Sequence, residues 1–183
     1  MPTDPALATL VLVDYQVRLL PALHDAEAAV REAVVLAQVA RVLAVPVVGT
    51  EENPGALGPN DARVRALCDE TLAKRHFDAC GDGLVARLRV RRPAGRDVLL
   101  AGCETHVCLQ ATALGLLREG YAVTVVPGAC ASRRPGDKAL AVQQLQAAGA
   151  ALASVESVAF AWLRTCDHPR FREVLALVKS LPV

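Results

Sequence analysis

Apolar runs alternate with amphipathic stretches along the whole chain. Residues 6–13 read ALATLVLV, a nearly continuous apolar run that predicts a strand buried on both faces. Residues 26–44 carry a helical period rich in Ala, Val and Leu. That helix ends before Val45-Pro46, because proline disfavours helix at the residue preceding it. PVVGT at 46–50 predicts a second strand, with proline tolerated at its first position. NPGALGPN at 53–60 is a loop by composition. Weak helical patterns follow at 61–68 and 81–90, with Lys74 in a loop between them and a turn at 91–95. DVLLA at 97–101 predicts a strand. Residues 105–119 predict a helix, with Gly120 just past its end. YAVTVV at 121–126 predicts a strand, 135–148 a helix closed by Gly149, and 150–153 a short strand. From Ser154 onward the pattern is mostly helical, broken near Asp167-His168-Pro169.

Strands alternating with helices imply right-handed crossovers and a mainly parallel sheet covered on both faces. The expected class is α/β, a three-layer α/β/α sandwich of Rossmann-like topology. No internal repeat or linker interrupts the pattern, so residues 1–183 read as one domain. In such sheets ligands bind beyond the carboxyl ends of the strands, where strand order reverses. The residues at those ends are Asp14, Glu51 and Glu52, 102–108 and 127–133.

Composition narrows the function classes. Of the 183 residues, 53% are apolar and the formal net charge is +1. Without a basic excess, nucleic acid is not an expected partner. No apolar run reaches the roughly 18 residues of a membrane span, and MPTDPALATL lacks the pattern of a secretory leader. A cytoplasmic location is therefore expected. The six cysteines are scattered and none forms a CxxC pair; in a reducing compartment each is by default a small buried hydrophobe.

Two features of AGCETHVCLQ (101–110) bear on chemistry. With Thr105 as the N-cap, Cys108 falls at N3, where the helix dipole favours a thiolate and lowers its pKa. Free amides of that turn could hold an oxyanion. Cys103 precedes the turn, and packing is its expected role. Asp14 ends the first strand as VDYQ; alone, it reads first as a helix or turn cap, and a functional role needs companions on the same rim. Lys74, in TLAKRHFDAC, reads on its own as a solvated loop lysine. The four histidines make no metal-ligand pattern, and His106 lies two residues from Cys108, a spacing at which helical side chains do not face each other. No glycine-rich phosphate loop is present. Neither cofactor nor metal is expected.

VLVDYQ, KRHFDAC and AGCETHVCLQATALGLLREGYAVTVV together make the chain resemble the isochorismatase-like cysteine hydrolases over almost its whole length. GTEENPGALGP and CDHPRFREVLALVK resemble the isochorismatase domain-containing subgroup. The resemblance implies an Asp14-Lys74-Cys108 catalytic triad and a cis peptide between Cys103 and Glu104. It also implies an oxyanion hole made by the backbone amides of Glu104 and Cys108. Nicotinamidase-type members carry a histidine metal site after the second strand, and GTEENPGALG contains no histidine. Two further departures stand out. Cys80 replaces a frequent aromatic, which would widen the pocket, and Gly128 replaces an acid that supports a rim loop.

The expected function is a metal-independent cysteine hydrolase that cleaves a small amide or related C–N acyl compound through a thioester. Gln16, Glu51 and Phe77 are candidates to line its pocket. The alternative is a metabolite- or protein-binding member of the fold with a vestigial triad. A homo-oligomer is expected from the resemblance. The apolar run 155–163, with Phe160 and Trp162, reads equally as an interface or as ordinary helix-to-sheet packing.

Overall fold

The computed structural model describes residues 4–181. Six parallel strands form one sheet in the order β3-β2-β1-β4-β5-β6. They are β1 (Ala8–Val13), β2 (Val47–Glu52), β3 (Glu70–Lys74), β4 (Asp97–Gly102), β5 (Ala122–Val125) and β6 (Ala151–Leu152). Every residue of β1 is buried, as its unbroken apolar run requires of a central parallel strand. The longest helix is α1 (Ala26–Val42); α2 (Pro54–Leu57) and α3 (Ala62–Arg65) are single turns. The rest are α4 (Leu84–Arg91), α5 (Gln110–Arg118), α6 (Pro135–Ala147), α7 (Val155–Leu163) and α8 (Phe171–Val178). Helix α1 packs with α3, α7 and α8, whereas α5 packs with α6 and with the 3-10 turn Ala79–Asp82 that leads into α4. The three layers follow from that division, with right-handed crossovers placing the two helix groups on opposite faces.

Three differences from the sequence expectation matter. β3 replaces the expected loop around Lys74. ETLAK alternates only weakly and forms an edge strand with little apolar content, so periodicity could not reveal it. Pairing with β2 creates it, in a register that sets Glu52 beside Lys74. β2 itself runs two residues past Thr50, so both glutamates belong to the strand. The loop expected at 53–60 contains the single turn α2.

The strand order reverses beside β1, whose register pairs Val13 with Thr50 on one side and with Gly102 on the other. A Cβ on Gly102 would lie 2.3 Å from the Val13 carbonyl oxygen, so only glycine lets β1 and β4 end this close together. The crevice there receives Asp14 from one side and 103–108 from the other.

The run 155–163 packs inside the chain. Val155, Val158, Ala159, Trp162 and Leu163 are buried, and Phe160 meets the ring of Phe171. The large exposed apolar side chains lie elsewhere, at Leu7, Val17, Phe77, Val90 and Leu140. Among the described residues no helix is long and apolar enough to cross a membrane.

Candidate functional site

Asp14 follows β1 with a left-handed backbone (φ 55) and a completely buried side chain. A buried carboxylate needs compensation, and β2 and β3 provide it. Thr50 Oγ1 donates to Asp14 Oδ1 at 2.7 Å and the Glu52 amide donates to the same oxygen at 3.1 Å. Lys74 Nζ lies 2.8 Å from Asp14 Oδ2, with both side chains at 0% exposure. Apart from that ion contact, Oδ2 has no hydrogen-bond partner. Lys74 is not the solvated loop residue its local sequence suggests. It ends the edge strand and reaches past β2 to Asp14. Its ammonium also meets Glu52 Oε2 at 2.9 Å and the His76 carbonyl at 3.3 Å. Burial works against that charge, yet Asp14 foremost, then Cys108 and Glu52, hold the Lys74 pKa above its ordinary value.

Cys108 approaches from β4. The Cys103–Glu104 peptide is cis. Thr105 is not the N-cap: Glu104 is, and the Thr105 hydroxyl donates instead to the Ala131 carbonyl at 3.0 Å. Residues Thr105–Leu109 form a wide π turn ahead of α5, a distortion often found at functional sites. The amides of Cys103, Thr105, Val107 and Leu109 bond to the carbonyls of Val13, Ala131, Glu104 and Glu104 respectively. One oxygen each of Asp14 and Glu52 lies within 4.8 Å of the other and of Cys108 Sγ.

The thiol is not activated in the direction the helix dipole suggests. Burial, with the Asp14 carboxylate second, pushes the Cys108 pKa up to about 12, and Lys74 pulls against them. Sulfur therefore rests as a thiol close to the Asp14 carboxylate. Iodoacetamide labelling of Cys108, mapped by mass spectrometry, is expected to accelerate about tenfold per pH unit from pH 7 to 10. A plateau below pH 9 would show an acidic thiol instead.

The same three donor atoms could in principle surround a metal ion. The Lys74 ammonium already sits against both carboxylates, and like charge opposes a cation there. His106 turns away from the thiol, with Nδ1 3.1 Å from Ser132 Oγ and Nε2 3.9 Å from an Asp137 oxygen.

The candidates for pocket lining separate. Gln16 is fully buried, and its amide group is spent on the Glu52 backbone and the Gly58 carbonyl. Glu51 accepts from the Asn60 amide at 2.8 Å and faces Arg65. Both fasten the 53–60 loop and neither is open to a substrate. Phe77 is 58% exposed, three residues beyond Lys74. Glu52 is the residue at the site that sequence reasoning did not select. The missed signal was parity: had β2 been extended, Thr50 and Glu52 would have fallen on one face and Glu51 on the other.

The two departures also find physical answers. The charged neighbours of Cys80 are Asp78, which caps its own turn, and Arg118 and Glu119, at the end of α5 away from Cys108. Gly128 leaves room for an acid from another element. A Cβ there would come within 2.2 Å of Glu32 Oε2 on α1. The loop is further tied by Tyr15, whose hydroxyl donates to the Ala129 carbonyl, and by Lys138, which donates to the Cys130 carbonyl at 2.6 Å.

Comparison with known proteins agrees with this architecture. The isochorismatase domain profile matches residues 8–157. Mouse isochorismatase domain-containing protein 2A is 34% identical over 96% of this chain and 84% of its own length. The structure of the MAR1 ribonuclease from Caenorhabditis elegans superposes with a TM-score of 0.91 at 28% identity, covering 98% of this chain and 94% of that one. The YcaC gene product of Escherichia coli, described as an octameric hydrolase of unknown specificity, shares the fold. Its TM-score is 0.82 at 22% identity, over 98% of this chain and 97% of that one.

Proposed function

Because the chain belongs to the isochorismatase family, whose fold supports hydrolase-type chemistry, we propose that it is a cysteine hydrolase of a small amide or related C–N acyl compound. The observation that carries this reading is the meeting of Asp14, Lys74 and Cys108 beyond the strand ends, with the thiol beside the Asp14–Lys74 ion pair.

Asp14 accepts the thiol proton as sulfur attacks the acyl carbon. The amides of Glu104 and Cys108 receive the oxyanion, at roughly 3–4 kcal/mol per donor in comparable sites. The tetrahedral intermediate collapses to a thioester, and Asp14 passes its proton to the departing nitrogen. Water then attacks the thioester and gives a proton to Asp14. The acid leaves, and the proton returns to sulfur. Lys74 lowers the cost of the transient thiolate and fixes Asp14 for each transfer. Lys74 also fills the space a metal ion would need, which supports a metal-independent route.

The ribonuclease description of the worm protein fits this chain less well. Its formal net charge is only +1, and two carboxylates surround one ammonium at the site, which opposes a polyphosphate. Six free cysteines support a reducing, cytoplasmic setting. Acid quenching during turnover, followed by intact-mass measurement, tests the reading: an acyl adduct on Cys108 is expected. A broad panel of amides, ureides and carbamoyl compounds that gives neither adduct nor turnover would shift weight to a non-catalytic binder.

We also propose a homo-oligomer, on the strength of the octameric relative and the exposed Val17, Phe77 and Leu140. Light scattering at micromolar concentration is expected to give a multiple of the 19.3 kDa chain mass. A monomeric mass would remove this part of the proposal.

A further inference from the structure

We infer that the site selects acyl compounds that are neutral or cationic beside the scissile bond and rejects anionic ones, and that Glu52 is the determinant. This rests on the cysteine-hydrolase reading only for the word acyl; the charge preference stands on the arrangement of side chains. The charged groups that Cys108 feels are Asp14, Lys74 and Glu52. Lys74 lies 2.8 Å from one carboxylate and 2.9 Å from the other. Two acids and one ammonium leave a single net negative charge.

Proton transfer does not change that sum. When Asp14 takes the thiol proton, the negative charge moves from oxygen to sulfur. An anionic substrate therefore meets repulsion at every stage, in a crevice where water screens poorly. Asp14 and Lys74 have no exposed side-chain surface, whereas Glu52 retains 13%. Glu52 is thus the member of the cluster that an incoming molecule touches. Two arginines of the adjoining segments already have partners. Arg133 holds Glu104 at 3.2 Å, and Arg75 donates to Asn53 Oδ1 at 2.7 Å. Asp14 Oδ2, buried and already held by the Lys74 ammonium, suits a further donor N–H better than another acceptor.

The test needs no turnover. Methanethiosulfonate reagents bearing an aminoethyl cation, a neutral methyl or a sulfonatoethyl anion are applied to wild type, Glu52→Gln and Glu52→Asp. Rates at Cys108 are read by peptide mass mapping, with the exposed Cys166 as reference in the same sample. The cation-to-anion rate ratio at Cys108 is expected to exceed that at Cys166 by about tenfold or more in wild type. Glu52→Gln is expected to lower it at least threefold, and Glu52→Asp to keep it. A wild-type ratio equal to that of Cys166 overturns the inference even if the variants do not fold. So does a smaller change in a folded Glu52→Gln. A chain that hydrolyses no amide yet shows the ratio would lose the hydrolase reading and keep the charge preference.

Discussion

Replacing Cys108 with alanine will remove turnover of every amide that the wild-type chain hydrolyses, a loss of roughly 10⁴–10⁶ in kcat. The size follows from the site. Asp14 and Lys74 can position water and shuttle a proton, but neither offers a second nucleophile with the thiol's reactivity. Folding should change little. Cys108 is small and 7% exposed, so the truncation costs about 1 kcal/mol. The check is steady-state kinetics on purified wild type and variant, with thermal melts alongside. If Cys108→Ala keeps more than about a hundredth of the activity while melting normally, sulfur is not the attacking atom. Asp14 would then have to be reconsidered as a base acting directly on water.

Lys74→Met will damage stability as well as catalysis. Methionine fills much of the same volume but leaves two carboxylates, of which Asp14 is wholly buried, without their shared cation. Breaking one partner out of a buried ionic group costs about 3–5 kcal/mol, a large share of the stability of a domain this size. The sign of the pH dependence is specific. Without Lys74, repulsion raises the folded-state pKa of the carboxyl pair above its unfolded value. The folded variant then holds an extra proton that the unfolded chain releases, so its stability rises as pH falls from 7 towards the ordinary carboxyl range. Urea titrations at pH 5 and pH 7 will show the deficit against wild type shrinking at the lower pH. Adding Glu52→Gln to Lys74→Met should recover part of the loss at pH 7, because neighbouring charges are not additive. A single variant whose deficit is the same at both pH values would contradict the electrostatic account.

Much of this was legible in the chain itself. β1 and β4 are unbroken apolar runs, and glycines stop α5 and α6. Those signals placed Asp14 and Cys108 at strand ends. Lys74 was legible only through resemblance, because β3 owes its existence to a neighbour: ETLAK becomes a strand by pairing with β2, not by its own pattern. The surroundings of the thiol were hidden for a related reason. A helix N-terminus is a local feature, whereas the burial and the Asp14 carboxylate that push the Cys108 pKa up come from residues remote in sequence. Glu52 and Glu51 are adjacent and identical in type. Only strand parity tells which one reaches Lys74 and which one fastens the loop at Asn60.

The protonated state of Cys108 also bears on how the chain survives exposure to peroxide. Oxidants attack thiolates rather than thiols. Burial and the Asp14 carboxylate push the Cys108 pKa up to about 12, so the thiolate is a minor species at pH 7. On the proposed mechanism the nucleophile forms only when an acyl carbon is at hand. A sulfur held as the thiol in this way is expected to resist the climb to sulfenic and sulfinic acid.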